Sequence, residues 1–135
     1  MTRSRYAGNG TRRRKVRARV LASQDRCAIC LLPVDKSLRT PDPLSPEVDE
    51  IVPVSKGGDC LDYENAQLAH RCCNQWRGDK DMQLVVGIRD AALGMFGAWR
   101  SPLEFVSKAR MAHKAVKRGK SREKAAERVS CSRAW

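Results

Sequence analysis

The alternation of apolar and polar positions divides the chain into short elements separated by turn-forming residues. From Arg12 to Ser23, Val16, Val20 and Leu21 recur at helical spacing among arginines. That pattern predicts a helix with one thin apolar stripe and a basic face, with Thr11 placed as its N-cap. Pro33, Pro41, Pro43 and Pro46 follow too closely for a helix to persist, so this stretch reads as loop and turns. Val48, Ile51, Val52 and Val54 favour a strand that ends at Ser55-Lys56-Gly57-Gly58, with a hairpin across residues 48–62. Ala66, Leu68 and Ala69 lead into a short helix carrying Cys73 to Arg77, with Gly78 as its stop.

Residues 80–99 form the most apolar stretch and predict a core helix, against which Gly87, Gly94 and Gly97 weigh. Ser101-Pro102 supplies a cap and first turn for a helix through about Lys117, broken at Arg118-Gly119-Lys120 and followed by a second helical piece. The organisation that results is a flexible basic arm at residues 1–10, one α+β domain at 11–100 and a basic helical extension at 101–135. No internal repeat interrupts it.

A chain of 135 residues holds one modest domain, and a core of that size commonly needs a staple such as a bound metal. Lysine and arginine number 27 against 15 acidic residues, a formal charge of +12. Such an excess suits a polyanion, with nucleic acid the default partner. The charge is uneven. Arg3, Arg5, Arg12, Arg13, Arg14, Lys15, Arg17 and Arg19 open the chain with no acid among residues 1–20, and the stretch from Lys108 onward is again basic. The two ends read as clamps on phosphate around a more acidic centre, or as solvated tails that order only on nucleic acid. Tyr6, Tyr63, Phe96, Phe105 and three tryptophans do not interleave with the basic residues as a stacking platform for single-stranded RNA would. No apolar run is long enough to span a bilayer and residues 1–22 lack the apolar centre of a signal peptide, so a cytoplasmic protein without a membrane partner is expected.

In a reducing compartment the six cysteines point to metal or free thiols rather than disulfides. Cys27-x-x-Cys30 brings two thiolates together on a turn, and His70-x-x-Cys73 places an imidazole and a thiolate near one another. Four such ligands form the closed Cys₃His set that holds structural Zn²⁺. Cys72 is the alternative ligand to its neighbour, whereas Cys60 and Cys131 have no partner at ligand spacing.

Between the two half-sites lie Glu47-Val48-Asp49-Glu50-Ile51-Val52-Pro53-Val54-Ser55-Lys56-Gly57-Gly58 and Glu64-Asn65, and the second half-site continues into Cys72-Cys73-Asn74-Gln75-Trp76-Arg77-Gly78. From about Arg12 to Lys80 the sequence resembles the HNH (His-Asn-His) endonucleases. The resemblance implies a ββα-metal, treble-clef-like core around a structural zinc, with flanking helices. It also implies hydrolysis of DNA phosphodiesters to 5′-phosphate and 3′-hydroxyl ends, with Mg²⁺ or another divalent cation at the reaction centre. Asp49 and Asn74 match the family's cation ligands, and Asn65 matches the Asn that braces the loop behind the general base.

One position departs from that pattern. The family's first His, the base that activates water, is Glu50 here, and a carboxylate is intrinsically the weaker base. Glu50 is expected as the base; the alternatives are that it joins Asp49 on the cation, or that it marks a zinc-containing DNA-binding module without activity. Arg71 and Arg77 beside the metal helix, Lys56 at the turn, and Arg12, Arg13 and Arg14 on the first helix are candidate DNA contacts. His113 lies among cations and reads as a surface residue. Small free-standing HNH proteins also suggest a phage setting, with terminase as partner during genome packaging.

Overall fold

A computed structural model describes residues 10–133, with side chains described to residue 128. The arm expected at residues 1–10 therefore lies outside the described residues except for Gly10, as does the side chain of Cys131. The elements in chain order are α1 (Gly10–Ser23), β1 (Pro46–Glu50), β2 (Ala66–His70), α2 (Arg71–Arg77), α3 (Met82–Phe96) and α4 (Pro102–Arg133). β1 and β2 pair antiparallel, in a register running from Pro46↔His70 to Glu50↔Ala66. The result is a two-stranded ribbon followed at once by a helix, the ββα arrangement of an α+β fold.

The ribbon is not the tight hairpin expected across residues 48–62. β1 ends at Glu50, its partner begins only at Ala66, and residues 51–65 form a long connection with 3₁₀ turns at Val54–Lys56 and Tyr63–Asn65. Local chemistry explains the difference. Pro53 has no N–H to give a ladder, and the Asp59 and Asp62 carboxylates accept hydrogen bonds from the backbone of Leu61 (2.8 Å) and Glu64 (3.0 Å), each closing a turn. Gly57 sits at φ 91°, the left-handed region glycine occupies at no steric cost, and caps the first 3₁₀ turn. Gly58 is required for a different reason, because a Cβ there would lie 1.7 Å from the Val52 carbonyl oxygen.

Every residue of β2 is buried. α1 covers it through Val20, and Gln24 replaces a missing strand at its edge: Gln24 Oε1 accepts from Leu68 N at 2.9 Å and Nε2 donates to the Ala66 carbonyl at 3.4 Å. Behind α2, the corner of α3 and α4 completes the core. Phe105 meets Trp76 edge-on with centroids 5.5 Å apart and Trp99 at 4.8 Å, while Val85, Ile88 and Ala92 of α3 face Ala109 and Ala112 of α4 within the same cluster. The extension expected from residue 101 thus begins inside the core.

α3 runs through Gly87 and Gly94, and α4 does not break at Gly119 but continues for 32 residues. A glycine inside a helix costs about 1 kcal/mol. That is too little to end a helix whose surrounding residues are mostly Lys, Arg, Ala and Glu.

Candidate metal centre and catalytic face

Cys27 and Cys30 lie on a knuckle built for sulfur ligands. The Ile29 and Cys30 amides point at Cys27 Sγ (3.4 and 3.5 Å), Leu31 takes φ 67° to turn the chain, and Cys27 N bonds the Leu32 carbonyl across the turn. β2 and α2 carry the other half: His70 ends the strand and Cys73 lies in the first turn of the helix, so the strand-to-helix junction sets their separation. The four ligand atoms lie within 4.8 Å of one another and all four residues are buried. His70 Nδ1 approaches Cys30 Sγ at 3.3 Å, and Nε2 meets the Pro33 carbonyl at 3.1 Å, the outer-shell bond that fixes a ligating imidazole. From the far side, Arg89 donates to the carbonyls of Ala28 and Ile29 (both 3.1 Å) and the Trp99 indole to that of Cys30 (2.8 Å), so α3 and its exit loop hold the knuckle.

The electrostatics fit a set waiting to exchange protons for a cation. Burial disfavours charge on His70, but the sulfurs of Cys27 and Cys30 outweigh it and raise its pKa to about 10. Cys27 is held far below the usual thiol range by hydrogen bonding with Cys30 and Cys73, while Cys73 is pushed far above it by Cys27, Cys30 and Cys72. Three sulfurs and one imidazole at this spacing could hold a metal ion. Cys72 is buried too, but outside the four-residue set; its pKa falls to about 7 chiefly through the hydrogen bond with Cys73.

The second constellation lies where β1 faces α2. Strand alternation puts Glu47 and Asp49 on one face and Val48 and Glu50 on the other. Glu47 Oε2 accepts a hydrogen bond from Asn74 Nδ2 at 2.7 Å, and Arg71 Nη1 stands 3.6 Å from Glu47 Oε1. Asp49 Oδ2 is paired with Arg77 and accepts a further bond from Gln67 Nε2 at 2.9 Å. Asn74 is therefore bonded to Glu47, one pleat along from Asp49. Glu50 and Val48, with Glu47 at the strand's margin, open onto a cleft of about 290 Å³ whose other wall is Arg13, Val16 and Arg17 of α1, lined also by Cys60. Arg13 Nη2 donates to Cys60 Sγ at 3.3 Å.

Asn65 ties down the segment that follows Glu50. Its Oδ1 accepts from Val52 N (2.8 Å), and its Nδ2 donates to the carbonyls of Val52 (3.0 Å) and Asp59 (3.2 Å). These bonds need the close approach that Gly58 allows.

Among the candidate DNA contacts, Arg12, Arg13 and Arg14 are exposed along α1, Arg71 is half-buried against Glu47, and Lys56 is exposed with Nζ on the Asp79 carbonyl at 2.7 Å. Arg77 requires a correction. It is 0% exposed, and its guanidinium is consumed by Asp49 and by the carbonyls of Glu50, Ile51 (2.7 Å) and Lys80 (2.9 Å), leaving nothing to offer a phosphate. His113 is half-buried rather than a surface residue; its pKa is lowered by burial first and then by Lys117, Lys80 and Lys120.

Sequence reasoning passed over Glu47, Gln67 and Gln24, the three side chains that connect the strands to their surroundings. The period-2 relation of Glu47 to Asp49 was a readable signal for the first. Nothing local marks the glutamines.

The family model for HNH endonuclease matches residues 27–80. No curated protein and no solved structure matches the chain. Among the described residues no helix is long and apolar enough to cross a membrane. The match opens at the first cysteine of the knuckle and closes just past the arginine buried under β1, taking in the metal-holding set, the braced loop and the facing strand and helix; residues 27–80 thus form an HNH endonuclease domain, which supports a nuclease-type function.

Proposed function

We propose that the protein is a DNA endonuclease that depends on a divalent cation, with a structural Zn²⁺ in the Cys27, Cys30, His70, Cys73 set and its reaction centre at the meeting of β1 and α2. The observation that carries this reading is the facing of Glu47 and Asp49 on β1 with Asn74 on α2, inside the residues that match the HNH family. The donor atoms left over fit a hard cation, because Asp49 Oδ1 and Asn74 Oδ1 remain when Arg77, Gln67 and Glu47 have taken their partners. A cation held there would polarise the scissile phosphate and stabilise the leaving 3′ oxygen.

The chain's own groups do the rest. Glu50, at the edge of the cleft, takes a proton from the water that attacks phosphorus in line. The P–O3′ bond breaks, the 3′ oxygen is protonated from solvent, and the 5′-phosphate stays on the other fragment. Arg17, with Nη2 on the Pro46 carbonyl at 3.4 Å, and Arg13 face the two glutamates across the cleft, where they can neutralise a phosphate backbone. Glu47 keeps Asn74 Nδ2 turned away and so leaves its oxygen for the cation, as an outer-shell carboxylate does for a ligating imidazole.

One observation favours a second reading. Asp49 is already neutralised through Oδ2 by a buried guanidinium, which weakens the attraction of its remaining oxygen for a cation. On this reading the protein binds DNA without cutting it. Incubating zinc-loaded protein with supercoiled plasmid and Mg²⁺ or Mn²⁺ decides between the two. The nuclease reading expects nicked or linear product that Glu50→Ala and Asn74→Ala reduce at least 100-fold, with Glu50→His restoring or raising the rate. DNA binding without cleavage by wild type under either cation would leave only the second.

A further inference from the structure

α4 outlasts the core it packs against. Its core-facing line of Phe105, Ala109, Ala112 and Val116 continues as Gly119, Glu123 and Glu127, and every residue from 117 to 128 is exposed. Because the helix runs unbroken through Gly119, a second line comes into register beside the first: Arg110, His113, Lys117, Lys120, Lys124 and Arg128, spaced three or four residues apart. At 100° per residue these six fall within about 80° of arc and extend roughly 27 Å. Lys114, Arg118 and Arg122 form a shorter row beside it. A break at Gly119 would have scattered both rows.

The stripe starts next to the HNH domain. Lys80, which closes α2 by donating Nζ to the Trp76 carbonyl at 2.8 Å, feels the positive charges of Arg110 and Lys117. His113 feels Lys117, Lys80 and Lys120 in turn, and both pKa values are lowered, by burial first and then by these cations. The carboxylates on this side are Asp79, near Lys80, Asp81, which lines a cleft with Lys120 but spends its Oδ1 capping Leu84 N at 2.8 Å, and Glu123 and Glu127 on the neighbouring line, three residues on from Lys120 and Lys124. Among the described residues no carboxylate forms an ion pair with any member of the stripe. Like charges at this spacing destabilise an isolated helix, and a polyanion laid along them reverses the sign.

We propose that this face of α4, together with Lys80, is a second binding surface for duplex DNA, contacting backbone phosphates outside the segment that the HNH domain would cut. It rests on the proposed function only in taking DNA as the ligand. A rigid cationic edge of about 27 Å spans some eight base pairs of axis at 3.4 Å each, and its lysines and arginines contact phosphate without reading bases. The contact sets register and adds affinity that does not depend on sequence.

The test uses full-length, zinc-loaded protein and fluorescence anisotropy on 12- and 30-base-pair duplexes, without added divalent cation, across a NaCl series. Lys117→Gln, Lys120→Gln, Lys124→Gln and Arg128→Gln are combined, all at exposed positions, with helix content checked by circular dichroism. Each phosphate contact contributes about 0.9 to the slope of log affinity against log salt. The combined variant is therefore expected to lose about 3.6 units of slope and at least tenfold in affinity on the 30-mer, and much less on the 12-mer. Cleavage of supercoiled plasmid with Mg²⁺ is read separately, so a protein that never cuts would sink the nuclease reading and leave this surface standing. Unchanged slope and affinity in the combined variant would overturn the proposal, and so would a loss confined to anionic vesicles or to single-stranded RNA.

Discussion

Replacing Arg77 with Ala tests how the proposed catalytic face is held. The side chain is 0% exposed and the Asp49 side chain 8%, so truncation leaves a carboxylate in a nearly dry site with only Gln67 Nε2 as partner. Removing one member of a buried pair costs about 3–5 kcal/mol, against a stability of roughly 5–15 kcal/mol for a domain of this kind. The carbonyls of Glu50, Ile51 and Lys80 lose their donor as well. Urea unfolding of the zinc-saturated protein, followed through Trp76 and Trp99, should show that loss as a fall in midpoint, and thermal melts should drop by roughly 10–20 °C.

Two companion variants separate charge from geometry. Lys at position 77 keeps the charge but cannot span a carboxylate and three carbonyls, so Arg77→Lys should recover only part of the loss. If the ion pair dominates, Asp49→Leu combined with Arg77→Leu should be much less damaging than the two single losses added, giving a coupling of at least 2 kcal/mol. If the carbonyl clamp dominates, the losses add. A destabilisation below about 1 kcal/mol in Arg77→Ala would refute the reasoning, because no buried pair of this kind could then be contributing.

Two further outcomes can be checked with the same material. With His70 raised to about 10 and the Cys73 thiol raised as well, the metal-free set carries protons at pH 7 that a cation must displace. Zinc loading should therefore release protons and tighten as pH rises, which calorimetry in buffers of different ionisation heat will register; binding without proton release contradicts the ligand set. Gly58→Ala would put a methyl against the Val52 carbonyl and cost about 3 kcal/mol, whereas Gly87→Ala, with open space at its Cβ on α3, should stabilise by about 0.5–1 kcal/mol. Equal effects of the two in urea titrations would count against the packing around Asn65.

The elements legible in the sequence were those whose signal is local. Cys27-x-x-Cys30 and His70-x-x-Cys73 announced a four-ligand set because ligand spacing is fixed by the ion, and the structure places all four within reach of one another. Helix α1 followed from apolar spacing and α3 from the high apolar content of residues 80–99. The ribbon was misplaced because β-branched residues mark strand propensity and not pairing: Ile51, Val52 and Val54 are suited to a strand but flank Pro53, and the partner of β1 is chosen by burial of Ala66–His70 against α1 and α2. Gly119 misled for the opposite reason, since one weak residue does not outweigh its neighbours in a helix already nucleated on the core.

The candidate catalytic face was legible as a set of residues but not as a set of contacts. Asp49 and Asn74 are named by the same motif, and a reader of sequence would place them on one cation. The structure gives each a different partner, because a strand rises about 3.3 Å per residue and a helix only 1.5 Å. Two strand residues therefore span roughly the distance of one helical turn. Glu47 falls opposite Asn74 and Asp49 opposite Arg77, two rungs of one ladder between β1 and α2. The rung at Arg77 holds the ladder shut while the rung at Asn74 stays half-exposed, so the cation proposed here would enter from the Glu47 end. That asymmetry joins a stable anchor to an accessible site within one seven-residue helix.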